Sequence, residues 1–301
     1  GFRDKERSLQ RPNDVIRVLV MGDSNAWGYG VEEDNVFTNI VEDKLRKQGI
    51  SVEVINLAVS GYGTDQEYLM LMEEGFRYEP EVVVLAVYMG NDLWENSSHM
   101  RHDKPKPHYI FDQEGELILN NVPVPKSEEL KKTHSIFLRT KIWLDRYSTM
   151  YRFVMRLLDN NDITRRWLIG ARIVEQVKEP ENYMDYQVRL TRALIRMFAQ
   201  EVRNRGIEVL IMVIPAGAEV YQTTGDTDSY NPTTEMLQLE DILTQKELLL
   251  LKPILIEEAR TGIDNLYYPI NTHLAPQGHR IIAQVLEERL RSLNSLSPND
   301  R

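Results

Sequence analysis

Four short segments of the chain carry side chains that could perform nucleophilic chemistry. Ser24 lies in GDSN, Gly61 in SGYGTDQE, Asn91 in GNDL and His273 in NTHLAPQGH. A serine hydroxyl can attack a carbonyl and an imidazole can accept its proton, while a glycine N–H and an asparagine amide can donate to an oxyanion. These four residue types are therefore the minimum set for acyl transfer.

Each of the four residues also has a plainer interpretation. Ser24 could cap a helix, Gly61 could serve a turn, Asn91 could form an Asx-turn, and His273 could be a solvated loop histidine. The elements that position them favour the chemical interpretation, because all four residues follow predicted strands. Since ligand sites of open α/β sheets lie at the carboxyl ends of the strands, we expect one crevice to collect them.

Nearly continuous runs of Val, Ile and Leu predict the buried parallel strands Val15–Met21, Val52–Val59, Val82–Tyr88 and Ile207–Ile214. Helical spacing predicts helices at Val36–Lys47, Asp65–Arg77 and Asp185–Arg205, the last ended by Gly206, and a final helix from about Pro276. We further predict a helical stretch at Met236–Arg260, broken near Pro253, and a fifth strand at Ile263–Tyr268. The fold class is thus a doubly wound, mostly parallel five-stranded α/β sheet of the flavodoxin-like kind.

The regular alternation of strands and helices stops between residues 93 and 180. This part contains a predicted hairpin around Gln113–Gly115 and then two or three predicted helices between Ser127 and Lys178, among them the basic stretch Arg139–Arg156. Because its apolar positions are too few for a separate core, we interpret it as a lid on a single α/β domain that spans residues 1–301.

The blocks GDSN, SGYGTDQE, GNDL and NTHLAPQGH, in that order, resemble those of the SGNH/GDSL hydrolase superfamily. The resemblance implies a serine ester hydrolase in which Ser24 is the nucleophile and His273 the base. It also implies an oxyanion hole made by the Ser24 N–H, the Gly61 N–H and the Asn91 amide. GFRDKE, WGYGV and the insertion are similar to a bacterial subgroup, which implies an extracytoplasmic or membrane-tethered protein whose N-terminal segment has been removed.

The chain departs from that family at one position. Members carry an acidic residue two or three positions before the histidine, whereas this chain has Asn271 and Ile270 there. An amide can orient the imidazole but cannot neutralise imidazolium. Three explanations stay open: an attenuated Ser-His pair with Asn271 as the orienting group, another acid such as Asp264 or one in the lid, or a deliberate substitution at Asn271. A binding protein that has lost catalysis is one alternative function. A carbohydrate O-acyltransferase of the same fold is a further alternative.

Other motifs carry less chemistry. Ala26 breaks the G-x-S-x-G pattern of α/β-hydrolases, and no glycine fingerprint or P-loop lysine indicates a nucleotide. The loop aromatics Trp27, Tyr62 and Trp94 are predicted to line the crevice, where they could contact an acyl chain or a sugar ring. A polar loop holds four potential metal ligands, for which we expect solvent rather than a metal: His99, His102, Asp103 and His108.

Composition limits the possible partners. The 301 residues include 36 Lys plus Arg against 46 Asp plus Glu, so the net charge is −10, and there is no cysteine. An acidic chain without a basic block is a poor match for nucleic acid. No apolar run is long enough to span a membrane, and nothing indicates a cofactor. We therefore expect a small-molecule or carbohydrate ester as substrate, while the sequence does not specify the oligomeric state.

Overall fold

The computed structural model describes residues 2–101, 104–124, 183–221, 233–262, 265–269 and 272–296. Its strands are β1 (Ile16–Gly22), β2 (Val52–Asn56), β3 (Val82–Tyr88), β4 (Met100–Arg101), β5 (Lys104–Pro105), β6 (His108–Phe111), β7 (Leu117–Asn120), β8 (Glu208–Ile214) and β9 (Leu248–Leu250). Its α-helices are α1 (Ser24–Trp27), α2 (Phe37–Lys47), α3 (Thr64–Glu73), α4 (Asp92–Ser97), α5 (Tyr183–Asn204), α6 (Gly217–Tyr221), α7 (Lys252–Arg260) and α8 (Pro276–Arg291). Among these residues, no helix has the length and apolar character needed to cross a bilayer.

A parallel sheet with the strand order β2-β1-β3-β8-β9 forms the centre of the fold. This is the flavodoxin-like order, so the predicted doubly wound α/β class is confirmed. Every residue of β1 and β3 is buried, because helices cover both faces of the sheet. That double burial explains why these strands consist of continuous apolar runs instead of alternating residues.

Two apolar layers lie on opposite faces of the sheet. On one face, α2 and α8 bury residues such as Phe37, Leu45 and Leu286 against β1, β2 and β3. On the other face, α3 and α5 bury Leu71 and Phe198. The predicted amphipathic helices therefore pack with their apolar faces against the sheet.

Two predictions about the C-terminal third are wrong. The fifth strand of the sheet is Leu248–Leu250, parallel to β8, and not Ile263–Tyr268, where Tyr267 forms only an isolated bridge with Leu274. The stretch Met236–Arg260 is therefore not one broken helix. Pro253 lies in the first turn of α7, where a missing N–H removes no helical hydrogen bond, so it begins a helix rather than breaking one.

The first part of the predicted insertion forms two small antiparallel pairs. β6 and β7 make the predicted hairpin, turning near Gln113–Gly115, and β4 pairs with β5. We call residues 98–101 and 104–106, which contain β4 and β5, the arm. The predicted helices between Ser127 and Lys178, including Arg139–Arg156, lie outside the described residues, so the lid and the single domain stay predictions.

Candidate active site

The loop after β1 presents the serine at the carboxyl end of the sheet. Asp23 is the N-cap of α1, and its Oδ1 accepts the Asn25 N–H at 2.8 Å. Ser24 therefore does not cap the helix, and its hydroxyl is available for another contact. Gly22 permits the sharp exit from β1, since a Cβ there would lie only 2.6 Å from the Ala26 Cβ.

The loop before α8 brings the histidine to that serine, 249 residues away in sequence. His273 Nε2 lies 2.9 Å from Ser24 Oγ, a hydrogen-bonding distance. Neutral hydrogen bonds hold the loop on both sides of the ring: the Leu274 N–H donates to Asn25 Oδ1 at 2.9 Å, and the Tyr88 hydroxyl donates to the Thr272 carbonyl at 2.9 Å. The structure thus places a hydroxyl and an imidazole in contact within a largely buried loop cluster.

Thr272 adopts a backbone conformation that β-branched residues rarely take. Its φ is +57°, in the left-handed region, which costs an L-residue roughly 1–2 kcal/mol. The Tyr88 hydroxyl bond to its carbonyl holds this conformation in place. Strained non-glycine residues concentrate at functional sites, where the surrounding structure fixes them.

The predicted oxyanion donors follow the two strands that flank β1. Gly61 lies after β2 and Asn91 after β3, while β1 lies between these strands and leads to Ser24. The Asn91 side chain makes no capping bond to α4, so the Asx-turn interpretation lacks its hydrogen bond. Gly61 has φ +77°, and among the described residues its N–H donates to no partner.

Buried carboxyl groups lie beneath these loops. Burial raises the pKa of Asp23, although the Asn25 N–H, the nearby His273 and the Asn91 side chain all lower it in part. Burial and repulsion by Asp23 raise the pKa of Asp92 well above its usual range, and its Oδ2 accepts the Tyr88 N–H at 2.8 Å. Glu67, only 1% exposed, also has a strongly raised pKa, because it is buried and faces Asp92 and Asp23. We expect these acids to hold their protons to higher pH than solvated carboxylates.

The other predicted site residues have varied surroundings. Trp27 is half-buried, with the Arg3 guanidinium over its ring at 4.9 Å, and Trp94 is 46% exposed on α4. The Arg101 guanidinium lies 4.9 Å from the centre of the Tyr62 ring. Whether the three aromatics Trp27, Tyr62 and Trp94 contact a substrate stays a prediction. Asn271 and Asp264, proposed as partners of the histidine, lie outside the described residues.

The loop that contains His99 and His108 offers the other potential ligands. The two imidazole rings have centroids 6.2 Å apart, whereas His102 and Asp103 are not described. In the described ranges, no group of three or more His, Asp or Glu side chains is placed to hold a metal ion.

Sequence reasoning missed three neighbours of the site. The ring of Tyr29 lies 4.6 Å from that of His273, Asp23 Oδ2 lies 3.3 Å from Ser24 Oγ, and Arg101 donates to the Ser60 carbonyl. Asp23 could have been predicted, because it directly precedes the serine and Asp is a preferred N-cap residue at a strand-to-helix turn. Nothing in the sequence signals the other two contacts, which join distant loops.

Comparisons with known proteins find solved structures of low sequence identity to this chain. No family model matches the chain, and no curated protein matches it. The chain is similar to the solved structure of TesA (13% identity, TM-score 0.48, covering 91% of this chain and 98% of that one). It is also similar to the acetyl xylan esterase AlAXEase (15%, 0.49, covering 92% and 100%) and to a lipolytic protein of the G-D-S-L family from Desulfitobacterium hafniense (10%, 0.45, covering 91% and 98%).

In the order of its four motifs, the chain resembles the SGNH/GDSL hydrolases. The contact between Ser24 and His273, which those motifs require, is present.

Proposed function

We propose that this protein is a serine ester hydrolase. The observation that carries the proposal is the 2.9 Å distance between His273 Nε2 and Ser24 Oγ. The hydroxyl is not consumed by helix capping, because Asp23 performs that role. A nucleophile and a base in hydrogen-bond contact at the carboxyl edge of a doubly wound sheet are the arrangement that acyl transfer needs.

In the proposed reaction, Ser24 Oγ bonds to the ester carbonyl carbon and its proton moves to His273 Nε2. The tetrahedral intermediate collapses as the carbon–alkoxy bond breaks, and the imidazolium gives its proton to the departing alcohol. Water then repeats the sequence on the acyl-enzyme: His273 takes a proton from water, the hydroxide oxygen bonds to the carbonyl carbon, and Ser24 leaves with that proton.

The N–H groups of Ser24 and Gly61 and the amide of Asn91 are proposed to stabilise the oxyanion. The strand order supports this proposal, because Gly61 and Asn91 follow β2 and β3, the strands on either side of the one that leads to the nucleophile. Such preoriented donors are worth about 100- to 1,000-fold in turnover each. In its ionised form, which the charge of His273 favours, the buried Asp23 side chain is proposed to help stabilise the imidazolium.

Steady-state hydrolysis of p-nitrophenyl acetate tests the proposal. We expect the wild-type protein to hydrolyse this ester. We expect Ser24→Ala to lower kcat by about 10,000-fold or more, because the proposed reaction has no other nucleophile. Ser292→Ala is the matched control, since this exposed hydroxyl bonds only the Arg289 carbonyl at the end of α8. Equal turnover of the wild type and Ser24→Ala would exclude the proposal.

The same assay separates the two alternatives named above. An O-acyltransferase would transfer the acetyl group to added oligosaccharide faster than to water, which product analysis detects. A protein that only binds would leave p-nitrophenyl acetate intact at every pH. The contact between Ser24 and His273 favours an enzyme over a binding protein, because binding alone needs no base beside the hydroxyl.

A further inference from the structure

Arg101 contacts the loop that carries Gly61 from outside the sheet. Its Nη2 donates to the Ser60 carbonyl, and its guanidinium carbon lies 4.9 Å from the centre of the Tyr62 ring. The Arg101 side chain therefore contacts both neighbours of Gly61 in the chain, Ser60 and Tyr62. None of the four sequence motifs contains this arginine.

The Ser60 carbonyl and the Gly61 N–H belong to one peptide group. Because that group is planar and trans, its carbonyl and N–H point in opposite directions. A donor fixed on the carbonyl therefore fixes the direction of the N–H. A charged donor also polarises the peptide and strengthens the hydrogen bond that its N–H can give.

The turn around this peptide has an alternative form. The Tyr62 N–H donates to the Val59 carbonyl at 3.0 Å, which closes a β-turn with Ser60 and Gly61 at its centre. Gly61 has φ +77° and Ser60 is not among the residues with positive φ, so the turn is of type II. In a type I turn the Ser60–Gly61 peptide is turned over, so that its carbonyl would point where its N–H now points.

Hydrogen bonds of Lys106 anchor the arm next to the Gly61 turn, and the pairing of β4 with β5 joins Arg101 to this anchored segment. Lys106, 2% exposed, donates to both carboxylate oxygens of Asp65 at 2.9 and 2.7 Å and to the Glu95 carbonyl at 2.7 Å. Asp65 lies in the first turn of α3, which begins three residues after Gly61. The arm and the Gly61 turn thus share one support.

We propose that Arg101 is a positioning residue that locks the Ser60–Gly61 peptide with its N–H toward the developing oxyanion and polarises that N–H. The inference rests on the proposed function, in which Gly61 is an oxyanion donor. Arg101 acts through the peptide and does not touch the substrate. Its loss should weaken the binding of the transition state while leaving the binding of the substrate unchanged.

The test measures kcat, KM and inhibition for Arg101→Ala on p-nitrophenyl acetate. We expect kcat to fall about 10- to 100-fold, with KM within about twofold of the wild type. Affinity for a trifluoromethyl ketone, which forms a tetrahedral adduct, should fall by the same factor as kcat/KM, whereas affinity for the matching methyl ketone should not change. Added guanidinium should restore part of the lost turnover.

Arg189→Ala is the matched control, because Arg189 also lies over an aromatic ring, 4.5 Å from the centre of Phe111. If Arg101→Ala does not fold, the neutral variant Arg101→Gln gives the same comparison. Turnover equal to that of the control, or a loss found in KM alone, would overturn the inference. An inactive wild type would instead overturn the proposed hydrolase, so the two failures are distinguishable.

Discussion

The two sides of the site are held by different kinds of interaction. On the His273 side, two neutral hydrogen bonds hold the loop: the Leu274 N–H donates to Asn25 Oδ1, and the Tyr88 hydroxyl donates to the Thr272 carbonyl. On the Gly61 side, charged groups make the contacts, through Arg101 at the turn and the Lys106–Asp65 ion pair below it. We infer that these two neutral hydrogen bonds of the His273 loop contribute equally at different pH values, whereas the support of the oxyanion turn depends on pH.

Removal of Lys106 should produce the largest change in stability on the Gly61 side. At pH 8, Lys106→Met leaves the buried Asp65 carboxylate without its cation, which costs about 3–5 kcal/mol of unfolding free energy. Burial already raises the pKa of Asp65 to about 6 in spite of Lys106, and loss of the lysine raises it further. The carboxyl therefore accepts a proton at pH 5, and the penalty measured by urea unfolding should be clearly smaller there than at pH 8.

Tyr88→Phe is the counterpart on the His273 side. It removes one neutral hydrogen bond, so we expect a loss of about 1 kcal/mol. Burial raises the pKa of Tyr88 to about 12, so its hydroxyl stays neutral throughout the assay range, and the loss should be the same at pH 5 and pH 8. The contrast between the two sides fails if the Tyr88→Phe penalty varies with pH as strongly as the Lys106→Met penalty.

Glu95 sharpens the comparison through the pH dependence of stability. Burial raises its pKa to about 7, against the opposing effect of Lys106. The folded chain holds this proton up to about pH 7, whereas the unfolded chain releases it near pH 4, so the group's contribution to stability falls as the pH rises through that window. Glu95→Gln should flatten the decline in melting temperature from pH 5 to pH 8. If the melting temperature of Glu95→Gln falls from pH 5 to pH 8 as steeply as that of the wild type, Glu95 does not contribute to the pH dependence of stability.

Much of the fold follows from local patterns in the sequence. The four long strands and the helices between them are visible because double burial leaves uninterrupted apolar runs and amphipathic spacing. The fifth strand was misplaced because Leu248–Leu250 has only three residues, too few for any periodicity to separate strand from helix. Tyr267, by contrast, lies in the segment predicted as the fifth strand, and in the described part of that segment it forms only an isolated bridge with Leu274.

The site was predictable where it depends on motif residues and unpredictable where it depends on contacts between distant loops. The end of β1 located Ser24 at the carboxyl edge of the sheet. The strand predicted before His273 is wrong, although the contact between His273 and Ser24 is present. Two contacts depend on loop geometry, which leaves no pattern in the sequence: the ring contact of Tyr29 with His273, and the hydrogen bond from Arg101 to the Ser60 carbonyl. The prediction that Asn271 orients the imidazole stays a prediction, because Ile270 and Asn271 lie outside the described residues.

The most direct test of the central claim is the site and rate of labelling by a fluorophosphonate, followed by intact-mass measurement and peptide mapping. The account predicts one adduct per chain, on Ser24, with a labelling rate reduced about 1,000-fold or more in His273→Ala, because the base no longer activates the hydroxyl. The exposed His99→Gln should label at the wild-type rate. An adduct on another residue, or equal rates in the wild type and His273→Ala, would contradict the account.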